Sequence, residues 1–109
     1  AWLMASLLYG GGLRLMECTR LRIKDVDFER RELLVREGKG GKDRRTILPA
    51  ALLAPLRAQV EAALGVHRAD LAEGFGAVWM PDALARKYPR ASREAGWQWV
   101  FPAASRSAD

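Results

Sequence analysis

Two glycine-rich stretches of this chain carry side chains able to handle a phosphate. The first is Gly12-Leu13-Arg14, with Glu17, Leu21 and Asp25 behind it, and the second is Gly38-Lys39-Gly40-Gly41-Lys42-Asp43-Arg44. Arg14 follows three glycines at the start of a short predicted helix, where unpaired N–H groups and the positive end of the helix dipole favour an anion. Its guanidinium adds a planar fork that can grip two phosphate oxygens at once. Lys39 stands at the tip of a predicted hairpin, where a lysine can enter a DNA groove and protonate a departing sugar oxygen as general acid. Lys42, Arg44 and Arg45 suit backbone phosphates, adding affinity without sequence preference. Each residue also has a plainer reading: Arg14 as a surface arginine paired with Glu17 on the next turn, and Lys39 as part of a solvated turn.

The elements that must position these residues follow from the apolar pattern. Residues 1–9 read as an apolar helix that Gly10-Gly11-Gly12 terminates, and residues 13–21 as a second short helix. An extended segment starts at Asp25, and residues 32–36 and 44–48 read as antiparallel strands joined by the glycines at 38–41. Pro49 ends the second strand. From about Ala51, Leu52, Leu56, Val60 and Leu64 recur as one helical stripe, with Pro55 tolerated in the first turn and Gly65 a point of interruption before a pattern that continues to about Gly74. Asp82 is the expected N-cap of a helix over 83–88 that Pro89 closes, and Ser92 caps a further turn. The fold class is α/β (α+β), mainly helical with a small antiparallel sheet between Asp25 and Leu48. Leu8, Leu13, Leu21, Leu34, Ile47, Leu52, Leu56 and Val60 are the expected core.

Composition narrows the chemistry. The 109 residues, half of them hydrophobic, allow one domain with a modest core, and the net charge of +5 points to a polyanionic partner. Cys18 is the single cysteine and His67 the single histidine, so an intrachain disulfide is impossible, a two-cysteine metal site is excluded, and an all-protein zinc site is not expected. A reducing cytoplasm fits best. No apolar run reaches the roughly 20 residues of a membrane span, and no signal peptide is recognisable. A nucleotide-binding P-loop does not fit either glycine run: Gly10 to Arg14 lacks Gly-Lys-Ser/Thr, and Asp43 follows Gly41-Lys42.

The C-terminal third interleaves aromatic and basic residues, in Ala83-Leu84-Ala85-Arg86-Lys87-Tyr88-Pro89 and Trp97-Gln98-Trp99-Val100-Phe101-Pro102. Such a mixture can stack unpaired bases while cations hold the backbone, which makes Arg86, Lys87 and Trp97 candidate DNA contacts. The alternative for these tryptophans is a role as core anchors, preferred for Trp99 and Phe101 and open for Trp97. His67 begins no His-x-x-Arg and is assigned to a helix surface; Tyr9 is expected in the core and Tyr88 at a helix end.

The combination of Arg14, Leu21 and Asp25 with the Lys39 hairpin resembles the first half of the catalytic domain of tyrosine recombinases. The whole chain is similar to integron integrases, in which an Ala-Leu-x-Arg-Lys-Tyr-Pro element and a following Trp-Gln-aromatic-x-Phe-Pro element form an insertion; both stand here, at 83–89 and 97–102. It departs at Gly11, where relatives usually carry threonine or serine, and at Cys18-Thr19, where Gly-Leu is common. The resemblance implies that Arg14 is the first catalytic arginine, Lys39 the hairpin lysine, and that the insertion, within about 70–102, contacts extrahelical bases of folded single-stranded sites. It implies double-stranded and folded single-stranded DNA as partners, with other protomers in a synaptic tetramer, and neither a membrane nor a cofactor. Ala1 falls inside a helical pattern and Ser107-Ala108-Asp109 follow an apolar run. Residues 1–109 are therefore expected to be an internal piece of a bacterial, cytoplasmic enzyme, inactive alone, with the DNA-clamping domain, second arginine and nucleophilic tyrosine outside it. A freestanding basic nucleic-acid-binding module is the alternative that this sequence leaves open.

Overall fold

The computed structural model describes residues 2–36 and 42–102. Helix α1 (Trp2–Gly10) leads into the short α2 (Leu15–Thr19). A three-stranded antiparallel sheet follows in the order β1 (Val26–Asp27), β2 (Glu32–Val35), β3 (Arg44–Ile47). A turn of 3-10 helix leads into α3 (Leu53–Ala72), and α4 (Asp82–Lys87) precedes two further 3-10 turns, Ala91–Arg93 and Ala95–Trp97. The expected mixture of helices with a small antiparallel sheet is thus observed. The last stretch returns to the sheet: Ile23 donates its N–H to the Gln98 carbonyl (2.9 Å) and Val100 donates to Leu21 (2.9 Å), giving an antiparallel bridge between Arg22 and Trp99.

The turn after α1 depends on two glycines. The Leu7 carbonyl accepts from both Gly11 (3.0 Å) and Leu13 (3.3 Å). A Cβ on Gly11 would lie 2.9 Å from that oxygen, and Gly12 has φ +69°, a region that side-chain-bearing residues enter at a cost. This tight reversal ends α1 and aims Arg14 into the start of α2.

Leu7, Leu13, Cys18, Leu21, Leu33, Val35, Leu48, Leu52, Leu56, Val60 and Val100 form the core. Leu13, Leu21, Leu52, Leu56 and Val60 were expected there; three others were not placed correctly. Leu8 and Leu34 are only half-buried, and Ile47 is 75% exposed, while their neighbours Leu7, Leu33 and Leu48 are sealed. The register explains the strands. Leu33 pairs with Val26 and Thr46, and Leu34 with Arg45, so Leu33 and Val35 share the core face while Leu34 and Ile47 share the other. A shift of one residue exchanges the two faces, and the unbroken run Leu33-Leu34-Val35 contains no alternation to choose between them. In α1 the apolar residues surround the helix, so no phase is legible there; Tyr9, expected inside, is 91% exposed.

Helix α3 also departs from expectation. It runs unbroken through Gly65, whose open surroundings leave only the propensity cost of about 1 kcal/mol. Its buried stripe is Leu56, Val60, Ala63 and His67. A strict every-fourth spacing drifts by about 40° per step in a helix of 3.6 residues per turn, so the stripe passes from Val60 to Ala63 rather than Leu64. His67 is therefore buried, not on the surface, and its Nε2 donates to the Arg93 carbonyl at 2.9 Å. Asp82 occupies the first turn of α4, with Pro81 as the cap.

These assignments separate two substitutions. Leu56→Ala should lower the unfolding free energy by about 2–5 kcal/mol, whereas Ile47→Ser should cost less than about 0.5 kcal/mol, both read from equilibrium urea unfolding. Equal losses would return Ile47 to the core.

Candidate functional site

Arg14 occupies the N-cap of α2 in an extended conformation (φ −84°, ψ 157°). Its backbone N–H donates to Glu17 Oε1 at 2.8 Å, the half of a capping box in which the third helical residue reaches back. The same carboxylate accepts a two-pronged contact from Arg44, with Nη1 to Oε2 at 2.7 Å and Nη2 to Oε1 at 2.9 Å. These bonds, the Arg44 guanidinium first and the Arg14 N–H after it, outweigh desolvation and hold the Glu17 carboxyl down at about 2. The plainer reading of Arg14 as a surface arginine paired with Glu17 does not hold, because Glu17 is paired with Arg44 instead. The Arg14 side chain is exposed and has no hydrogen bond or salt bridge among the described residues. Strand β3 makes a second link to the same turn, since the Thr46 hydroxyl donates to the Gly11 carbonyl at 3.1 Å.

Of the other basic residues expected to meet phosphates, Lys42 is exposed and Arg45 points outward, with Glu32 at 3.9 Å. Arg44 is turned inward to Glu17. Lys39, with its glycines, lies outside the described residues.

A second cluster lies at the other end of α2, about 7.5 Å along the axis of a five-residue helix. Asp25, 4% exposed, accepts from Arg36 Nε and Nη2 at 2.9–3.1 Å, and this grip raises the arginine's pKa further. Arg22, also 4% exposed, donates to the Trp97 carbonyl (2.7 Å) and the Trp79 carbonyl (2.9 Å). Burial, then the neighbouring Arg36, lowers the Arg22 pKa from its ordinary value. The Trp97 ring has Lys24 Nζ at 4.1 Å, with the Arg22 and Arg36 guanidinium carbons at 5.3 and 5.5 Å. Arg22, Arg36 and Trp97 line an open groove of about 750 Å³, with Trp79, Pro81, Leu84 and Trp99 on its apolar side and Arg20 and Asp43 among its other polar groups. A groove with indole walls and cations beside them can hold a flat π system attached to an anionic backbone.

Trp97 is thus half-buried and surrounded by cations, Trp99 is half-buried against Arg22, and Phe101 packs on the core. Arg86 and Lys87 are exposed in the last turn of α4, and Tyr88 is 51% exposed just beyond it. Arg22, Asp25, Arg36 and Trp79 were not singled out from sequence as members of one cluster. The signal in the sequence for this region was the interleaving of aromatic and basic residues in the C-terminal third, which suits contact with unpaired bases. Cys18 is sealed in the core, where burial pushes its thiol up to about 11 and makes it a poor nucleophile. Among the described residues no group of three or more His, Cys, Asp or Glu side chains could hold a metal, and no helix is long and apolar enough to cross a membrane.

Residues 2–102 match the family model described as the phage integrase family. An integrase/recombinase of Escherichia coli and another of Pseudomonas aeruginosa are each 49% identical over 107 residues, which is 98% of this chain and 32% of theirs. Tyrosine recombinase XerA of Thermococcus onnurineus is 51% identical over 59 residues, or 54% of this chain. A crystal structure of XerA recombinase superposes with a TM-score of 0.54 at 33% identity, covering 58% of this chain and 22% of that one. The chain spans about a third of the length of the relatives it matches almost throughout.

Replacing Glu17 tests the arrangement around α2. Glu17→Gln should lower the unfolding free energy by about 1–3 kcal/mol at neutral pH by weakening charge-assisted bonds to Arg44. Because the folded carboxyl titrates at about 2 and the ordinary one at 4.5, its contribution is complete above pH 4.5 and is lost as pH falls through 2. The gap between parent and variant in urea unfolding should therefore close over that window. A gap that stays constant from pH 6 to pH 2 would contradict the ion pair.

Proposed function

This chain belongs to the phage integrase family of tyrosine recombinases, and we propose that it forms part of the catalytic domain of an integron-type integrase, a site-specific DNA recombinase that inserts and excises gene cassettes. The observation that carries the reading is the state of Arg14. Glu17, the acid nearest to it in sequence, is saturated by Arg44 and by a backbone N–H, so the Arg14 fork stays available for a phosphate beside a helix start. One feature favours the integron-type reading: the motifs at 83–89 and 97–102 supply Leu84, Trp97 and Trp99 to the lining of the aromatic and cationic groove.

In the proposed reaction a tyrosine hydroxyl attacks the scissile phosphate, a 3′-phosphotyrosyl bond forms and the 5′ oxygen leaves. Arg14, with a second arginine, balances the charge that gathers on the non-bridging oxygens. Lys39 gives a proton to the departing 5′ oxygen, and reversal of the same steps rejoins the strands, so the phosphodiester energy is conserved in the enzyme link. The scheme needs no metal or nucleotide. The sequence holds no His-x-x-Arg, so the second arginine and the nucleophile are assigned to residues outside these 109, and the 109 alone are expected to be inactive. Lys42, Arg45, Arg86 and Lys87 hold backbone phosphates, and Trp97 meets an extrahelical base of a folded single-stranded site. Arg44, with its fork on Glu17, supports the phosphate face by fastening β3 to α2 rather than by meeting a phosphate itself. Double-stranded sites and a synaptic tetramer complete the set of partners, in a bacterial cytoplasm.

In the intact enzyme, Arg14→Lys should be nearly as damaging as Arg14→Ala, because lysine keeps the charge and loses the fork. The loss should appear in strand cleavage of a suicide substrate more than in DNA affinity. Full cleavage by Arg14→Lys would remove Arg14 from the active site, and a loss only in proportion to affinity would make it a plain phosphate contact.

Lys39→Ala should slow cleavage while leaving DNA affinity nearly unchanged. A 5′-bridging phosphorothioate, whose sulfur departs without a proton, should restore much of the lost rate. Failure of that rescue would exclude proton donation by Lys39.

A further inference from the structure

The groove is lined in part by a buried cation that the proposed chemistry does not use. Arg22 stands beside Leu21 at the exit of α2, 4% exposed, with no carboxylate within salt-bridge distance among the described residues. Its partners are the carbonyls of Trp97 and Trp79, at 2.7 and 2.9 Å, and the Met80 sulfur at 3.7 Å. The Trp99 ring lies under it, with the guanidinium carbon 4.0 Å from the ring centroid.

Burying a charge this way carries a desolvation cost that an apolar side chain of similar volume avoids. What an apolar side chain cannot do is tie two separate chain segments together. Nη1 takes the carbonyl of one groove tryptophan and Nη2 the carbonyl of the other, while the Trp99 ring packs against the guanidinium. The two carbonyls therefore sit at a separation set by one rigid planar group. Above them the Trp79 indole is 69% exposed and that of Trp97 is half-exposed, both lining the groove.

We propose that Arg22 is a positioning residue that sets the spacing of the Trp79 and Trp97 indoles, and through that spacing selects recombination sites carrying an unpaired base. The proposal rests on the recombinase reading above. Arg22 is remote from the reacting phosphate in this account, so duplex sites, which present no extrahelical base, are cleaved without its help. Lysine at this position keeps the charge but offers a single nitrogen that cannot span both carbonyls.

The test uses the full-length recombinase and two suicide substrates, a duplex site and a folded single-stranded site with a fluorescent adenine analogue at the unpaired position. Arg22→Lys should slow cleavage of the folded site by about tenfold, within what loss of one base–aromatic stack costs, and change duplex cleavage less than about twofold. Fluorescence quenching of the analogue on binding should fall with it. Arg22→Gln, which keeps an amide donor without a buried charge, gives the same readout if the lysine variant does not fold. Equal losses on both substrates, or no loss on either, overturn the proposal. Trp79→Ala in the same assay separates the two levels of the argument. If it cleaves both substrates like the parent, the groove does not read unpaired bases at all. If it slows only the folded site while the Arg22 variants do not, the groove reading stands and the role of Arg22 falls.

Discussion

One carboxylate organises the phosphate-handling end of this structure. Glu17 accepts the backbone N–H of Arg14 with one oxygen and the fork of Arg44 with both. The first bond starts α2 at Arg14, and the second fastens β3 to α2 across the core face of the sheet. Because Arg44 satisfies its charge, Glu17 exerts its pull on the Arg14 main chain and leaves the Arg14 guanidinium unclaimed among the described residues. The glycine turn before it is held from the same strand by Thr46, so the backbone that presents Arg14 is fixed on both sides. An arginine meant for an external anion needs such support, since its own ion pair inside the protein would compete with the ligand.

The groove at the far end of α2 applies the same economy to two other arginines. Arg36 is locked on Asp25 and lies beside Trp97. Arg22 is spent on main-chain carbonyls. The C-terminal segment is then tied to α3 by side chains that donate to its backbone, Gln59 to Val100 and His67 to Arg93, and is braced from within by Gln98, which donates to Ser92 and Glu94. Backbone with little regular structure keeps a defined shape when its carbonyls are satisfied in this way. The basic face and the aromatic groove are thus parts of one framework, joined through a helix of five residues.

Much of this was legible in the sequence. The triple glycine, the start of α2 at Arg14, the two strands and the long helix after Pro49 are local features, written by residues within a few positions of one another. The strand phase was not legible, because Leu33-Leu34-Val35 offers apolar residues to both faces and only pairing with Val26 and Thr46 decides between them. The partner of Glu17 was missed for a different reason. A helix neighbour, Arg14, was the nearest cation in sequence, while the actual partner, Arg44, lies 27 residues away on a strand. The groove is the extreme case. Arg22 meets carbonyls 57 and 75 residues further along, in segments whose regular structure is a few turns of helix, and no periodicity announces such a contact. Family resemblance supplied the expectation of a base-contacting insertion, but the arginine that spaces its tryptophans emerged from the coordinates alone.

The central claim is that Arg14 neutralises charge on the scissile phosphate, and a chemically altered phosphate tests it most directly. In a methylphosphonate, one non-bridging oxygen is replaced by a methyl group and the negative charge is gone. Full-length Arg14→Ala enzyme should cleave a suicide substrate with a methylphosphonate at the scissile position much faster than it cleaves the natural phosphate, since the transition state then carries one negative charge fewer for Arg14 to balance. Cleavage of the methylphosphonate that stays as slow as that of the natural phosphate in the same variant would contradict the assignment.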